Sequence, residues 1–244
     1  MGNPVKRSCA RPHACSVDVQ LEVLGRARLT RNLDADAHQW ISTFTDAFSW
    51  QAGESIVLSG DELTGVLLLA AGRGRVVRST ANGDDVTVDI AVPGDILTPV
   101  STSPVIAAES VWAMDTSCAL YLPGSALREI IAAYPSIAEV MLTMSQERLH
   151  TAREMNLALS TASVEQRVGA VLIYLAEKLS RPDEHNHQLI QARIRREDIA
   201  GMAATTVESA SRALSKMKKL GMITSGREWI SVVDAQALAD FSDH

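Results

Sequence analysis

Three textures along the chain predict an α+β fold: short β-rich runs between glycine-containing turns from 51 to 123, a long helical pattern from 136 to 160, and two helices with a hairpin pattern in the last third. Many short strands at about 8–12-residue spacing predict an N-terminal double-stranded β-helix of jelly-roll type. Helix, tight turn, helix and hairpin predict a C-terminal winged helix-turn-helix. The expected organisation is an arm at 1–33, a β-roll at 34–135, a dimerisation helix at 136–160 and the winged helix-turn-helix at 161–244.

The elements follow in order. Residues 1–18, with Pro4 and Pro12, read as irregular, and a helical pattern over about Asp34–Trp50 is opened by Asn32 or Asp34. Ser55–Leu58, Gly65–Ala70, Gly74–Ser79, Val86–Val92 and Ala119–Leu122 read as strands. Gly53, Gly60-Asp61, Gly72, Asn82-Gly83 and Gly94-Asp95 read as the turns between them. Ser125–Ala133 makes a short helix, and a long one runs from Ser136 to about Ser160. Val164–Leu179 is amphipathic, with Val168, Val171, Leu172 and Leu175 on one side, and Arg181–His187 is a polar loop.

The last third carries the most specific pattern. A helix over roughly Arg196–Ala203 packs Ile199 and Met202 inward. In the next helix Val207, Ala210, Leu214, Met217 and Leu220 form an apolar stripe, and Glu208, Ser211, Arg212, Ser215 and Lys219 lie opposite. Thr205-Thr206-Val207-Glu208 reads as a capping box with Thr205 as the cap, and Gly221 as the stop. Thr224–Arg227 then turns between Met222-Ile223 and Trp229–Val232.

Those side chains suit a duplex groove. Arg212 offers two donors to guanine O6 and N7, Glu208 accepts from a cytosine amino group, and Ser211 meets a base edge. Lys216, Lys218, Lys219 and Arg227 suit phosphates, which set register rather than sequence. The plainer alternative leaves Glu208 as a cap and Arg212 as a solvated charge. Residues 193–227 hold eight Lys/Arg against three acids in a chain of net charge −6. A basic island on an acidic protein is the electrostatic footprint of a nucleic-acid partner.

The 244 residues are 46% hydrophobic, enough for a sizeable core. No run of about eighteen apolar residues and no N-terminal apolar region occurs, so the expectation is a cytoplasmic protein without a membrane partner. Cys9, Cys15 and Cys118 are expected as reduced thiols or metal ligands rather than a disulfide framework.

Val207–Arg212, inside TTVESASRAL, resembles the recognition helix of the Crp/Fnr family of transcription regulators, and the Val-Glu-x-x-Ser-Arg pattern resembles its FNR branch. The resemblance extends over a cyclic-nucleotide-binding-like β-roll, a long dimer helix and the winged helix. It implies a homodimer that binds double-stranded DNA and works with RNA polymerase. It also implies base reading by Glu208, Ser211 and Arg212, with Thr205, Thr206 and Val207 beside them, at inverted repeats of TTGAT-like half-sites. Met144, Arg148, Thr151, Glu154 and Met155 fall on the expected dimer seam, although Arg148 and Thr151 interrupt its apolar stripe. In FNR-like seams an acidic residue, with which Glu154 aligns, is thought to weaken the dimer by repulsion until a cofactor binds.

Cyclic AMP is not the expected ligand, because PGDILTPVSTSPVIAAESV carries no arginine for a phosphate and none occurs from Ser79 to Leu127. FNR-like oxygen sensors hold a 4Fe–4S cluster on N-terminal cysteines, the last two separated by five residues, and on one β-roll cysteine. Cys9-Ala-Arg-Pro-His-Ala-Cys15 has that gap, and Cys118 in TSCALYLP lies two residues early but on the same strand face. The chain offers three thiolates where a cubane cluster takes four ligands, leaving His13, a carboxylate such as Asp18 or an exogenous molecule as the fourth.

Other readings stay open: a Cys9–Cys15 thiol–disulfide switch, haem or another small ligand in the roll, and a cupin-type metalloenzyme. The last needs a His/carboxylate triad inside the roll, and the histidines at 13, 38, 150, 185, 187 and 244 all lie outside 51–123, so no enzymatic activity is expected.

Overall fold

The computed structural model describes residues 11–12, 15–80, 82–182, 187–190, 194–226 and 229–243. It divides into one unit of residues 1–83 and 89–149 and a second of 84–88 and 150–244.

The first unit opens with β1 (Arg11–Pro12), α1 (Val17–Arg26) and α2 (Ala35–Ser42). Ser16 caps α1 by accepting from Val19 N, and Asp34 caps α2 by accepting from Ala37 N at 2.8 Å. The irregular reading of 1–18 therefore overlaps the first two residues of α1, a helix that no reading of the sequence places. The helix expected to reach Trp50 also ends at Ser42. Residues Asp46–Trp50 form β2, whose alternation sends Phe48 and Trp50 into one core and Ala47 toward the other face.

The roll continues with β3 (Ser55–Val57), β4 (Glu62–Leu63), β5 (Gly65–Ala71), β6 (Gly74–Ser79), β7 (Asp85–Ala91), β8 (Val105–Ile106), β9 (Ser110–Ala113) and β10 (Ser117–Pro123). One sheet has the order β1-β2-β10-β5, a second β3-β9-β6-β7, and β4 pairs with β8. Gly53, Gly60, Gly72, Gly83 and Gly94, read as turns in the sequence, all have φ between +80° and +98°, which L side chains rarely adopt.

Period-two alternation sorts the central strands onto two cores. Leu67, Leu69, Ala119 and Tyr121 face the core between the sheets, with Trp50, Ile56 and Val111. Their neighbours Val66, Leu68, Leu120 and Leu122 face a second core under α1, α2 and α3 (Gly124–Ala133). Strands covered on both sides are apolar throughout, so β5 and β10 lack polar alternation.

The helix α4 (Ser136–Thr161) follows, then α5 (Val164–Leu179), which buries Val168, Val171, Leu172 and Leu175 as the sequence predicts. The expected polar loop at 181–187 is bordered by strands. Residues Ser180–Pro182 (β11) pair with Gln188–Ile190 (β12), and β12 continues onto the wing. After α6 (Arg196–Met202) and α7 (Val207–Lys219) come β13 (Ile223–Gly226), β14 (Trp229–Val232) and α8 (Ala235–Asp243). The β11-β12-β14-β13 sheet is the wing. Gly226 pairs with Trp229, so β13 takes in Thr224, Ser225 and Gly226 of the residues expected to turn. The molecule is thus a jelly-roll domain, a long helix and a winged helix-turn-helix.

Candidate nucleic-acid interface and thiol pair

The first helix of the motif, α6, buries Ile199 and Met202. Its N-terminus is closed by the Asp198 carboxylate, which accepts from Arg195 N at 2.8 Å. The turn is tight. Ala204 takes φ +47°, and Thr205 N donates to Ala200 O at 2.9 Å.

The cap of α7 differs from the sequence expectation. Thr206, not Thr205, is the N-cap, accepting from Ser209 N at 3.2 Å and donating to Ser209 Oγ at 3.0 Å. Thr205 is spent on the turn, and this moves the helix start by one residue. The buried stripe shifts accordingly. Ala210, Ala213, Leu214 and Met217 are buried, whereas Val207 and Leu220 are exposed. The other end stops at Gly221 (φ +77°), where Met222 N returns to Met217 O at 3.1 Å and Gly221 N to Lys218 O at 3.2 Å. That is a Schellman closure.

Glu208 and Arg212 stand on the exposed face, 79% and 70% accessible, with 3.4 Å between them, and Ser211 is half-buried beside them. So exposed a pair contributes little stability. It orients the guanidinium, which also reaches Ser209 Oγ at 3.5 Å. Lys216 pairs with Glu165 of α5 and lies 5.4 Å above the Phe241 ring, so its charge is engaged within the domain. Lys218 Nζ donates to Ser225 O at 2.9 Å, tying α7 to the wing, and Lys219 is exposed. Arg227 lies outside the described residues.

Arg167, which the sequence reading did not single out, donates to three backbone carbonyls: Ala162 from Nη1 at 2.8 Å, Ala203 from Nε at 3.0 Å and Ala204 from Nη2 at 3.5 Å. No local pattern marks it, since these partners are set by folding.

The thiols converge at the roll. Pairing of β1 with β2 sets Arg11 opposite Ser49, and Ser49 lies opposite Cys118 of β10. The chain then brings Cys15 Sγ to 3.7 Å from Cys118 Sγ. Gln20 Nε2 holds the Cys15 carbonyl at 3.2 Å. Neither Cys15 nor Cys118 is disulfide-bonded; Cys15 is half-buried and Cys118 is buried. Burial first, then the charge and hydrogen bond of Cys15, push the Cys118 thiol up to about 12. Two sulfurs from separate segments, one shielded from water, match part of the soft donor set of an iron–sulfur cluster. Cys9 and His13 lie outside the described residues, and Asp18 is exposed. Among the described residues no group of three or more His, Cys, Asp or Glu side chains gathers.

In the β-roll, Asp95 accepts from Val92 N at 2.9 Å, so the carboxylate of the PGD segment closes its own turn. On α4, Met141 packs against the second core, and Met144 and Arg148 line a cavity of about 150 Å³ with Val100, Leu142 and Ser145. Thr151, Glu154 and Met155 are exposed, as are Leu142, Leu149 and Leu159.

Comparison with known proteins agrees with this architecture. A cyclic nucleotide-binding domain family matches residues 47–134, and a Crp-like helix-turn-helix domain family matches 166–241. The chain belongs to the Crp/Fnr family of transcription regulators, whose members bind DNA as dimers. It is 23% identical over 194 residues to the fumarate and nitrate reduction regulatory protein of Escherichia coli, covering 80% of this chain and 77% of that one. It is 25% identical over 188 residues to electron transport regulator A of Shewanella oneidensis, covering 77% and 75%. The structure of FixK2 from Bradyrhizobium japonicum superposes with a TM-score of 0.71 at 21% identity, covering 81% of this chain and 96% of that one. No helix among the described residues is long and apolar enough to cross a membrane.

Proposed function

We propose that this regulator reads FNR-like inverted repeats through Glu208, Ser211 and Arg212, and that its thiols report oxygen, nitric oxide or redox state by holding an iron–sulfur cluster. The approach of Cys15 to Cys118 carries the sensing half: two chain segments present sulfur at 3.7 Å, as a shared ligand set requires. Cys9 supplies the third thiolate, and the fourth ligand is His13 or an exogenous molecule. A bound cluster supplies a redox-labile link between arm and roll. The chain's own contribution is to hold Cys118 dry and Cys15 beside it, and to give up the raised Cys118 proton on binding. RNA polymerase is the proposed partner and the cytoplasm the proposed location; no enzymatic activity is proposed.

The dimer seam we propose differs from the apolar stripe read in the sequence. Met141 packs on the core of its own chain and Met144 is half-buried, whereas Leu142, Ser145, Leu149, Ala152, Asn156 and Leu159 follow at three- and four-residue steps on a face rotated by about 100°. Leu142, Leu149 and Leu159 on that face are exposed, and a second copy of the chain covers them. At about 100° per residue Glu154 lies on the far half of the helix, so repulsion across the seam does not act through it.

Anaerobic purification with iron and sulfide quantification tests the sensing, together with duplex binding before and after air. Iron bound anaerobically and lost in air, with a matching change in binding, is expected. Iron-free anaerobic protein, or Cys15→Ser and Cys118→Ser variants that keep the air response, refutes it. A second reading, favoured by the same sulfur distance, is oxidation of Cys15 and Cys118 by a peroxide to a disulfide, with two protons and two electrons passing to the peroxide. An air response without iron that a thiol reductant reverses supports that reading.

A further inference from the structure

We infer that Arg167 is a positioning residue for the recognition helix: its guanidinium ties the joint that follows α4 to the helix-turn-helix turn and so fixes the angle at which α7 is presented. This rests on α7 being the element that reads DNA.

The chemistry is that of a fork with three carbonyl targets. Ala162 O lies directly beyond the end of α4, and Arg167 Nη1 holds it at 2.8 Å. Ala203 O and Ala204 O belong to the end of α6 and the turn, held by Nε at 3.0 Å and Nη2 at 3.5 Å. The last carbonyls of a helix lack intrahelical donors and carry partial negative charge, so a cation placed there satisfies and stabilises them. The need is greatest at Ala204, whose φ of +47° is unfavourable for an L residue. Two residues later Thr206 caps α7, so a shift of the turn moves Glu208 and Arg212 with it. All these residues belong to the second unit, so the linkage is internal to one body. Lysine has the charge and three donors, but they radiate from one nitrogen and cannot span carbonyls that Nε, Nη1 and Nη2 reach separately.

The test uses the full chain with Arg167→Gln and Arg167→Lys. In DNA-free protein, amide exchange at Ala204 and Thr205 rises about tenfold or more in both variants, the weight of a charge-assisted hydrogen bond, while the β13–β14 hairpin keeps its protection. Unchanged exchange at the turn, or restoration by lysine, overturns the inference. The second readout is salt-dependent binding to a duplex selected from a random pool by the unaltered protein. Affinity for that duplex falls about tenfold, binding to random duplex stays the same, and the salt slope is unchanged. A slope shallower by about one makes Arg167 a phosphate contact and overturns the positioning role. An unaltered protein that selects no duplex refutes the DNA reading instead, and the exchange measurement still decides the linkage.

Discussion

Replacing Thr206 with alanine removes the side chain that closes the N-terminus of α7, where it accepts from Ser209 N at 3.2 Å. Loss of a threonine cap costs about 1 kcal/mol. Thr206 is exposed, so no cavity penalty is added. The neighbouring Thr205→Ala is the control, because Thr205 gives the turn its backbone N–H, bonded to Ala200 O at 2.9 Å, and alanine keeps that bond. Denaturant unfolding followed by circular dichroism should show Thr206→Ala less stable by about 1 kcal/mol, with Tm lower by about 2–4 °C for a chain of this size. Thr205→Ala should stay within about 0.5 kcal/mol of the unaltered protein. Fraying of the first turn also loosens Glu208, so duplex affinity falls in Thr206→Ala alone. If Thr205→Ala is the more damaging, the helix starts where the sequence pattern places it, and the assignment of the cap is wrong.

Other outcomes follow from the same geometry. Arg212→Ala should weaken binding to the preferred duplex by about 1–3 kcal/mol and relax discrimination at one base pair, measured by competition with single-base variants. Leu149→Glu should give a monomer by analytical ultracentrifugation, while Thr151→Glu on the same helix should leave a dimer; the reverse order would restore the seam through Thr151. The Cys118 thiol, raised from 9.0 to about 12, is more firmly protonated in the folded chain than in the unfolded one. Its contribution to stability is therefore fully present below pH 9 and lost as pH rises from 9 through 12, a loss that Cys118→Ala should abolish in unfolding curves. At pH 8 iodoacetamide should label Cys15 and spare Cys118, as read by peptide mass mapping.

Local pattern carried much of this far. The glycine turns of the roll were legible because a positive φ needs glycine whatever surrounds it, and Val164–Leu179 because a one-sided apolar stripe has a single helical solution. Elements failed where the deciding contact was distant. β2 was read as helix because Phe48 and Trp50 are defined as strand residues by β10, reached some seventy positions later in the chain. The polar pattern of 181–187 gives no sign of the strands β11 and β12 that border it, because β12 is completed by β14. On α7 the exposed positions of Glu208 and Arg212 were legible from spacing, whereas the cap was not, since TTVE offers two threonines and only the turn chooses between them.

Taken alone, the sequence determined the class of fold, the exposed polar face of α7 and the family, because these rest on residue type and short-range spacing. Resemblance alone grouped Cys15 with Cys118 as ligands of one cluster; their direct approach at 3.7 Å came only from the fold, and the sequence carried no sign of Arg167. Residues 103 positions apart in the case of the thiols, and 36 or more between the guanidinium and its turn carbonyls, meet only after sheets and helices pack. Such meetings are enforced by the cores that α1, β10 and α5 bury, which no local window of the chain contains.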